Sequence, residues 1–287
     1  MDKKSIAVLI TSHNRRDKTL TCVEKLFLQE GIDIEFGIKV FLVDDGSTDG
    51  TAEAVAKRFP EVNIIPGNGD LYWNRGMHLA WSVALKEGFD YYFWLNDDTI
   101  LYTACLSELI KCMLTANGNS IIVGTTRSEI SGEPTYGGRK KNKELIVPNG
   151  QLQLCDYFNG NCVLIPGRVS DIIGNLDYNF RHSMGDYDYG RRAGKKGIRS
   201  YIAYGYAGSC EKHESLSKWC SPSVGLFDRI KAFNTPLAVN PVQHFIYDYR
   251  HNGLITAVTH FITIHLRLLF PVLWEGRHNL KSKVKQM

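Results

Sequence analysis

No C-x-x-C pair occurs in this 287-residue chain, and its seven cysteines are an odd number. Both features argue against a disulfide framework and a structural zinc site, and leave reduced, buried thiols as the plain reading. Charge of one sign is scarce too. The net charge is only +4, and no basic block longer than GRKKNK (Gly138 to Lys143) precedes the tail, so the footprint of a nucleic-acid binder is missing. After the basic start, the apolar run SIAVLI is too short for a secretory signal, and the expected location is the cytoplasm. There is no internal repeat and no low-complexity segment. The content, 44% hydrophobic and 22% charged, is that of a globular chain with one large domain and a C-terminal extension.

What is present begins with periodicity. Ser5 to Ile10 is a continuous apolar run followed by turn-prone TSHNRRD, which predicts a buried parallel strand ending in a loop. Leu20, Val23, Leu26 and Phe27 then fall at helical spacing within Thr19 to Gln29. Lys39 to Val43 predicts a second strand, and Ser47, Thr48 or Asp49 is placed to cap an Ala-rich helix after it. Asn63 to Ile65 reads as a third strand, Gly76 to Glu87 as a helix closed by Gly88, and Tyr91 to Leu95 as a fourth strand. Alternation of this kind predicts an α/β fold with three layers and a mostly parallel central sheet. Further on, Leu106 to Leu114 reads as a helix, Ile121 to Thr125 as a strand, Ser131 to Asn149 as a hairpin or mobile loop, and Gln153 to Pro166 as a strand pair. A short helix is expected over Tyr189 to Lys195, with residues 205 to 240 loop-rich.

Two acidic clusters, VFLVDDGSTDG (Val40 to Gly50) and YYFWLNDDTIL (Tyr91 to Leu101), directly follow buried strands. Carboxylates then gather at the carboxyl ends of neighbouring strands, where open α/β sheets bind ligands. A divalent metal holding a nucleotide diphosphate suits such a place.

LITSHNR, VDDGSTDGT, LNDDT, FNGNCVLIP and GDYDYGRRA, in that order and spacing, resemble the family 2 glycosyltransferases of the GT-A fold, inverting enzymes that use nucleotide sugars. GNGDLYWNRGM and the LNDDT form are similar to bacterial rhamnosyltransferases and to transferases of O-antigen and capsule polysaccharide. The resemblance spans roughly Ile6 to His213. It implies a GT-A domain over residues 1–240, with a nucleotide-binding half at 1–101 and an acceptor half at 102–240, and a C-terminal helical extension at 241–287.

It also implies roles. Asp98 is the expected ligand of Mg2+ or Mn2+, and Asp97, pointing the other way on a strand end, is expected to meet ribose or sugar hydroxyls. Asn96 stands where many relatives have the first Asp of D-x-D. Asp45 is expected to contact a uracil or thymine base, with Thr11 lining the same pocket and Asp44 either sharing that role or fixing the turn. Arg15 is placed to touch base or phosphate. Trp73, Asn74 and Arg75 bring an aromatic face, an amide and a cation toward the donor sugar and its diphosphate, with Asn159, Gly160 and Asn161 beneath it. Asp186 holds the position of the catalytic base, with Gly185 in place of the usual Glu and Asp188 as its support or as a helix cap. His213 matches a histidine near the metal or diphosphate. Each has a plainer reading: caps for the aspartates, core for Trp73, solvent for the arginines and a loop for the histidine.

Gly253 to Trp274 has the length of a membrane span, but His260, His265 and Arg267 interrupt it. Arg at a bilayer centre costs about 3 kcal/mol on insertion scales. An interfacial helix avoids that cost, and the flanking Arg250, His251, Arg277 and terminal lysines suit anionic lipid on the inner face of the cell membrane. The alternative is a helix packed on the domain or in a homodimer interface.

The expectation is thus a transferase moving a sugar from a UDP- or dTDP-sugar to a glycan or lipid-linked acceptor. Two other classes compete. A nucleotidyltransferase acting on sugar phosphates wants a Gly-rich loop after the first strand, and TSHNRRD has no glycine. A non-catalytic glycan-binding relative would have little reason to keep Asp45, Asp97, Asp98 and Asp186 together.

Overall fold

Strand β1 (Lys4–Ser12) runs through the centre of the computed structural model, which describes residues 3–32, 35–212 and 218–273. Its alternation assigns the two faces of the sheet. Ile6, Val8 and Ile10 pack with Cys22, Val23 and Leu26 of α1 (Arg16–Phe27), Val55 of α2 (Thr51–Arg58) and Leu106, Leu109 and Met113 of α4 (Cys105–Thr115). Ala7 and Leu9 face Met77, Ala80 and Trp81 of α3 (Tyr72–Ala84), Val169 of α5 (Gly167–Ile173) and Tyr189 and Ala193 of α6 (Gly185–Lys195). The result is helix, sheet and helix in three layers, as the alternation predicts.

β2 (Phe36–Asp44) lies parallel to β1, with β3 (Asn63–Pro66) outside it, and β4 (Tyr91–Leu95) is parallel to β1 on the other side. β10 (Cys162–Pro166) is then antiparallel to both β4 and β6 (Ile121–Arg127), and β11 (Ser200–Ser209) is parallel to β6. The short β5 (Ile100–Leu101) and β8 (Gln153–Cys155) pair with β11, while β7 (Gly138–Arg139) and β9 (Tyr157–Phe158) form a small ribbon of their own. In this order the carboxyl ends of β1, β2 and β4 share one edge.

Two departures from the sequence reading bear on that edge. β11 falls where a loop-rich stretch was expected from residue 205 onward, because its register against β6 shifts on both sides of Tyr206 and the resulting bulges erase the period-2 pattern. α3 starts at Tyr72 rather than Gly76. Its first turn has no local capping side chain, and the Asp45 carboxylate supplies the acceptor from the end of β2.

Contacts divide the chain into two units, Met1–Lys212 and His213–Met287. The second holds a 3-10 turn at Lys218–Cys220, α7 (Leu226–Phe233), α8 (Pro241–Asn252) and α9 (Leu254–Leu269). The segment 218–240, which the sequence reading joined to the first domain, packs with these helices: Trp219, Cys220, Ala238 and Leu268 form a small core. Asn240 caps α8 by accepting from the backbone of Val242 and Gln243, and Gly253 separates α8 from α9. The polar interruptions of α9 have partners within the unit: His260 Nδ1 bonds Asp248 Oδ2 at 2.7 Å and Arg267 lies over the Trp219 ring. Its 16 residues span about 24 Å, and among the described residues no helix is long and apolar enough to cross a membrane.

Candidate active site at the carboxyl ends of the strands

β4 stops at Leu95, and the next residues form a turn closed by the Thr99 N–H donating to the Asn96 carbonyl at 3.1 Å. Strand alternation therefore does not reach Asp97 and Asp98. Instead of diverging, both carboxylates turn onto Arg15: its Nη1 donates to Asp97 Oδ1 at 3.1 Å and to Asp98 Oδ2 at 2.8 Å. Both acids are nearly buried, their side chains 8% and 10% exposed. Burial raises the Asp97 carboxyl to about 6 against the pull of Arg15. Burial alone would lower the guanidinium's pKa, and the two carboxylates overcome it and hold it raised.

Trp73 links this turn to the opposite wall. Its indole N–H donates to Asn96 Oδ1 at 2.6 Å, and its ring lies against Gly160, where an added Cβ would come within 2.4 Å of it. The Gly160 N–H donates to Asp186 Oδ2 at 3.0 Å, and the Tyr187 N–H to Asp186 Oδ1 at 2.8 Å. Asp186 thus sits in the first turn of α6 with each oxygen oriented by one backbone donor and lone pairs to spare. Burial, opposed by those two bonds, raises its carboxyl to about 6.

The remaining expected residues divide. Asp45 is buried, and Gly69, Leu71 and Tyr72 donate three backbone N–H groups to its carboxylate at 2.8–2.9 Å. Its acceptor capacity is spent on shaping the 69–72 loop, which leaves little for a base. Asp44 differs: Oδ2 takes the Ser47 N–H at 3.1 Å, while Oδ1 is buried without a partner among the described residues. Thr11 packs its hydroxyl against α3 at Gly76. Asn74, expected near the donor, is fully buried and donates to the carbonyls of Asp177 and Phe180 at 2.8 and 2.7 Å. It also explains Gly185, because a Cβ there would meet Asn74 Oδ1 at 1.7 Å, so the family's usual Glu has no room. Arg75 turns away, stacking on Tyr178 and donating to its carbonyl. Asn159 accepts from Arg139 Nε and donates to the Tyr187 hydroxyl. Asp188 is fully buried and paired with Arg192 at 2.7 Å, which supports α6. His213 lies outside the described residues.

Three neighbours escaped the sequence reading. Cys210 Sγ stands 3.6 Å from Asp98 Oδ1, a weak donor whose thiol burial pushes up to about 12. Ser12 bonds Asp97 through its hydroxyl. Arg139, from the stretch read as a hairpin or mobile loop, places its charge near Asp186. Only the tertiary pairings β7–β9 and β6–β11 bring Arg139 and Cys210 here, and no local motif marks them.

The family model of glycosyl transferase family 2 matches residues 7–187, well over half of the chain. The chain belongs to glycosyl transferase family 2. The matched span contains Arg15, Asp97, Asp98 and Asp186. Among solved structures, mannosyltransferase PcManGT from Pyrobaculum calidifontis, in complex with GDP-Man and Mn2+, aligns at a TM-score of 0.55 and 13% identity, over 95% of this chain and 74% of that one. The family member described here therefore has the GT-A fold with a C-terminal helical part. No curated protein matches the sequence. The fold is shared with 466 solved chains, so family membership gives sugar transfer in general and leaves the donor to the site itself.

Proposed function

We propose that the protein is an inverting glycosyltransferase that takes a sugar from a nucleotide-diphosphate sugar and passes it to a glycan or lipid-linked hydroxyl, with Asp186 as general base. The observation that carries this reading is the Trp73 bridge, which ties the Asn96–Asp98 turn to Gly160 and through it to Asp186. Inversion needs one carboxylate on the acceptor side. As the acceptor oxygen bonds the anomeric carbon, Asp186 takes the hydroxyl proton and the bond to the diphosphate breaks. With two oxygens already oriented, the carboxylate enters that step without rearranging.

The donor end suits a hard dication. Asp97 Oδ1 and Asp98 Oδ2 converge on one cationic nitrogen, and Mg2+ or Mn2+ needs only one or two carboxylates when substrate phosphates and water complete its shell. Among the described residues no cluster of three or more His, Cys, Asp and Glu ligands exists, so the protein side of such a shell would be Asp97 and Asp98. When bound, the ion neutralises charge gathering on the departing diphosphate. Asp44, with its unpartnered buried oxygen, suits the ring N–H of a base better than Asp45 does.

A peripheral membrane contact fits a lipid-linked acceptor. Leu254, Ile255, Val258, Ile262, Leu266 and Leu269 of α9 are exposed, and an apolar face of that kind lies in a lipid interface. Deleting residues after Asn252 should abolish sedimentation with anionic vesicles; unaltered sedimentation rules the contact out.

The deciding experiment is a donor screen scoring nucleotide release with UDP-, dTDP- and GDP-sugars, dTDP-rhamnose and GDP-mannose among them, with Mg2+ or Mn2+ and with EDTA. Release from none of them in any metal condition refutes the reading.

A further inference from the structure

One nitrogen occupies the point on which both acidic side chains converge. Arg15 Nη1 contacts Asp97 Oδ1 and Asp98 Oδ2 at hydrogen-bond distance, the Ser12 hydroxyl also bonds Asp97, and the other Asp98 oxygen faces the Cys210 thiol. A dication taking those two oxygens as ligands would need the place that this nitrogen fills. A guanidinium left in place would then face it at near-contact distance, cation against cation in a low-dielectric pocket. The two cations therefore exclude one another.

Arg15 is also built to leave. It stands at the start of α1, its side chain is 36% exposed, and it borders an open depression of about 360 Å³ lined by Asn14, Arg16, Asp17 and Lys18. The carboxylates, by contrast, are 8% and 10% exposed, in a turn locked by backbone bonds that join Asn96 to Asn161 and Thr99. The arginine is the more exposed partner and the acids are the more enclosed ones.

We infer that Arg15 is a resident counter-ion which holds the Asp97–Asp98 pair in the ligand-free protein and is exchanged for the divalent metal, so that metal binds weakly alone and tightly only when a nucleotide diphosphate arrives with it and offers the displaced guanidinium new oxygens. The inference rests on the metal-dependent reading above and adds an order of binding. It makes Arg15 a positioning residue whose first effect is on metal affinity. Arginine suits this exchange because it carries its charge at every working pH and grips phosphate as readily as carboxylate.

The test is Mn2+ binding to nucleotide-free protein, followed by electron paramagnetic resonance of the free ion, without turnover. Arg15→Gln should bind Mn2+ at least tenfold more tightly than wild type, and adding UDP should tighten wild type far more than the variant. Arg15→Lys, which keeps a cation, should stay within about threefold of wild type. Equal Mn2+ affinity in wild type and Arg15→Gln overturns the inference. Asp98→Asn separates the two claims. If it leaves Mn2+ binding intact, the metal reading itself fails; if it abolishes binding while Arg15→Gln gains nothing, only the exchange fails. Should Arg15→Gln not fold, wild type labelled with 15N-arginine decides. The restrained Arg15 side-chain signals must become freely rotating or shift when Mg2+ and UDP are added together, and unmoved signals refute the exchange.

Discussion

The turn after β4 and the first turn of α6 each hold a carboxyl raised to about 6 by burial, yet the two regions treat that carboxyl differently. Asp97 shares a cation with Asp98 and bonds the Ser12 hydroxyl, while the Cys210 thiol stands on Asp98. Among the described residues Asp186 has no salt bridge; it is held by two backbone N–H groups, with Arg139 acting on it from a distance. A carboxylate paired with a cation is suited to exchanging that cation for another. An unpaired, oriented one is suited to gaining and losing a proton. Equal pKa values thus mark different tasks, and the neighbours tell them apart.

The sharpest break of that comparison removes the base alone. Asp186→Asn keeps the shape and should lower kcat by about 10³-fold, within the range for loss of a general base, while donor binding measured by calorimetry stays near wild type. Retention of more than a few per cent of the rate assigns the proton to another group. The next largest effect falls on stability at the donor end. Asp45→Ala leaves the N–H groups of Gly69, Leu71 and Tyr72 without their acceptor and should cost about 3 kcal/mol in urea unfolding. Asp44→Asn should instead raise the donor KM with little change in the melt. An interchange of these two outcomes would return base recognition to Asp45.

How much of this was legible beforehand follows from range. β1, β2, β4 and their helices could be read because each is a local pattern, and the aspartates could be read because a motif carries them. The partners of Asp45 and Asn74 are not legible for a reason of distance: they lie 24 to 27 and about 105 residues away. Nothing near Asp45 says that it will cap a helix starting at Tyr72. Gly185 is instructive in the other direction, because its departure from the usual Glu was visible while its cause, the Asn74 amide filling that space, was not. Cys210 reached Asp98 through the irregular pairing of β11, which leaves no periodic trace.

pH separates the two carboxyls more gently. Asp186 works as a base only when ionised, so kcat/KM should fall about tenfold per unit as pH drops below about 6. If the Asp97 charge is needed as well, the acid limb steepens toward a hundredfold per unit, and Asp97→Asn should return it to a single slope at a lower rate. The stability sign runs opposite to activity. Both carboxyls lie above their ordinary value of 3.8 in the folded state, so between about 4 and 6 the native protein binds more protons than the unfolded chain. Their contribution to stability therefore declines as pH rises through that window. Urea melts at pH 4.5 and 7, repeated in Asp186→Asn, should show the pH dependence reduced in the variant.

The smallest effect tests the bridge itself. Trp73→Phe keeps most of the ring against Gly160 but removes the N–H that Asn96 Oδ1 accepts at 2.6 Å. Losing one such bond is worth about 1 kcal/mol, and its distribution is informative. If the indole only fills space, the loss appears in the melt and nowhere else. If it holds the two regions in register, kcat falls about fivefold, because the Asp97–Asp98 turn and Asp186 are then free to shift relative to each other while each stays intact. Asn96→Asp, which restores the acidic residue many relatives carry, keeps an acceptor for the indole and should leave the bridge standing. A loss of kcat in Trp73→Phe with wild-type turnover in Asn96→Asp assigns the coupling to this one hydrogen bond rather than to the charge at position 96.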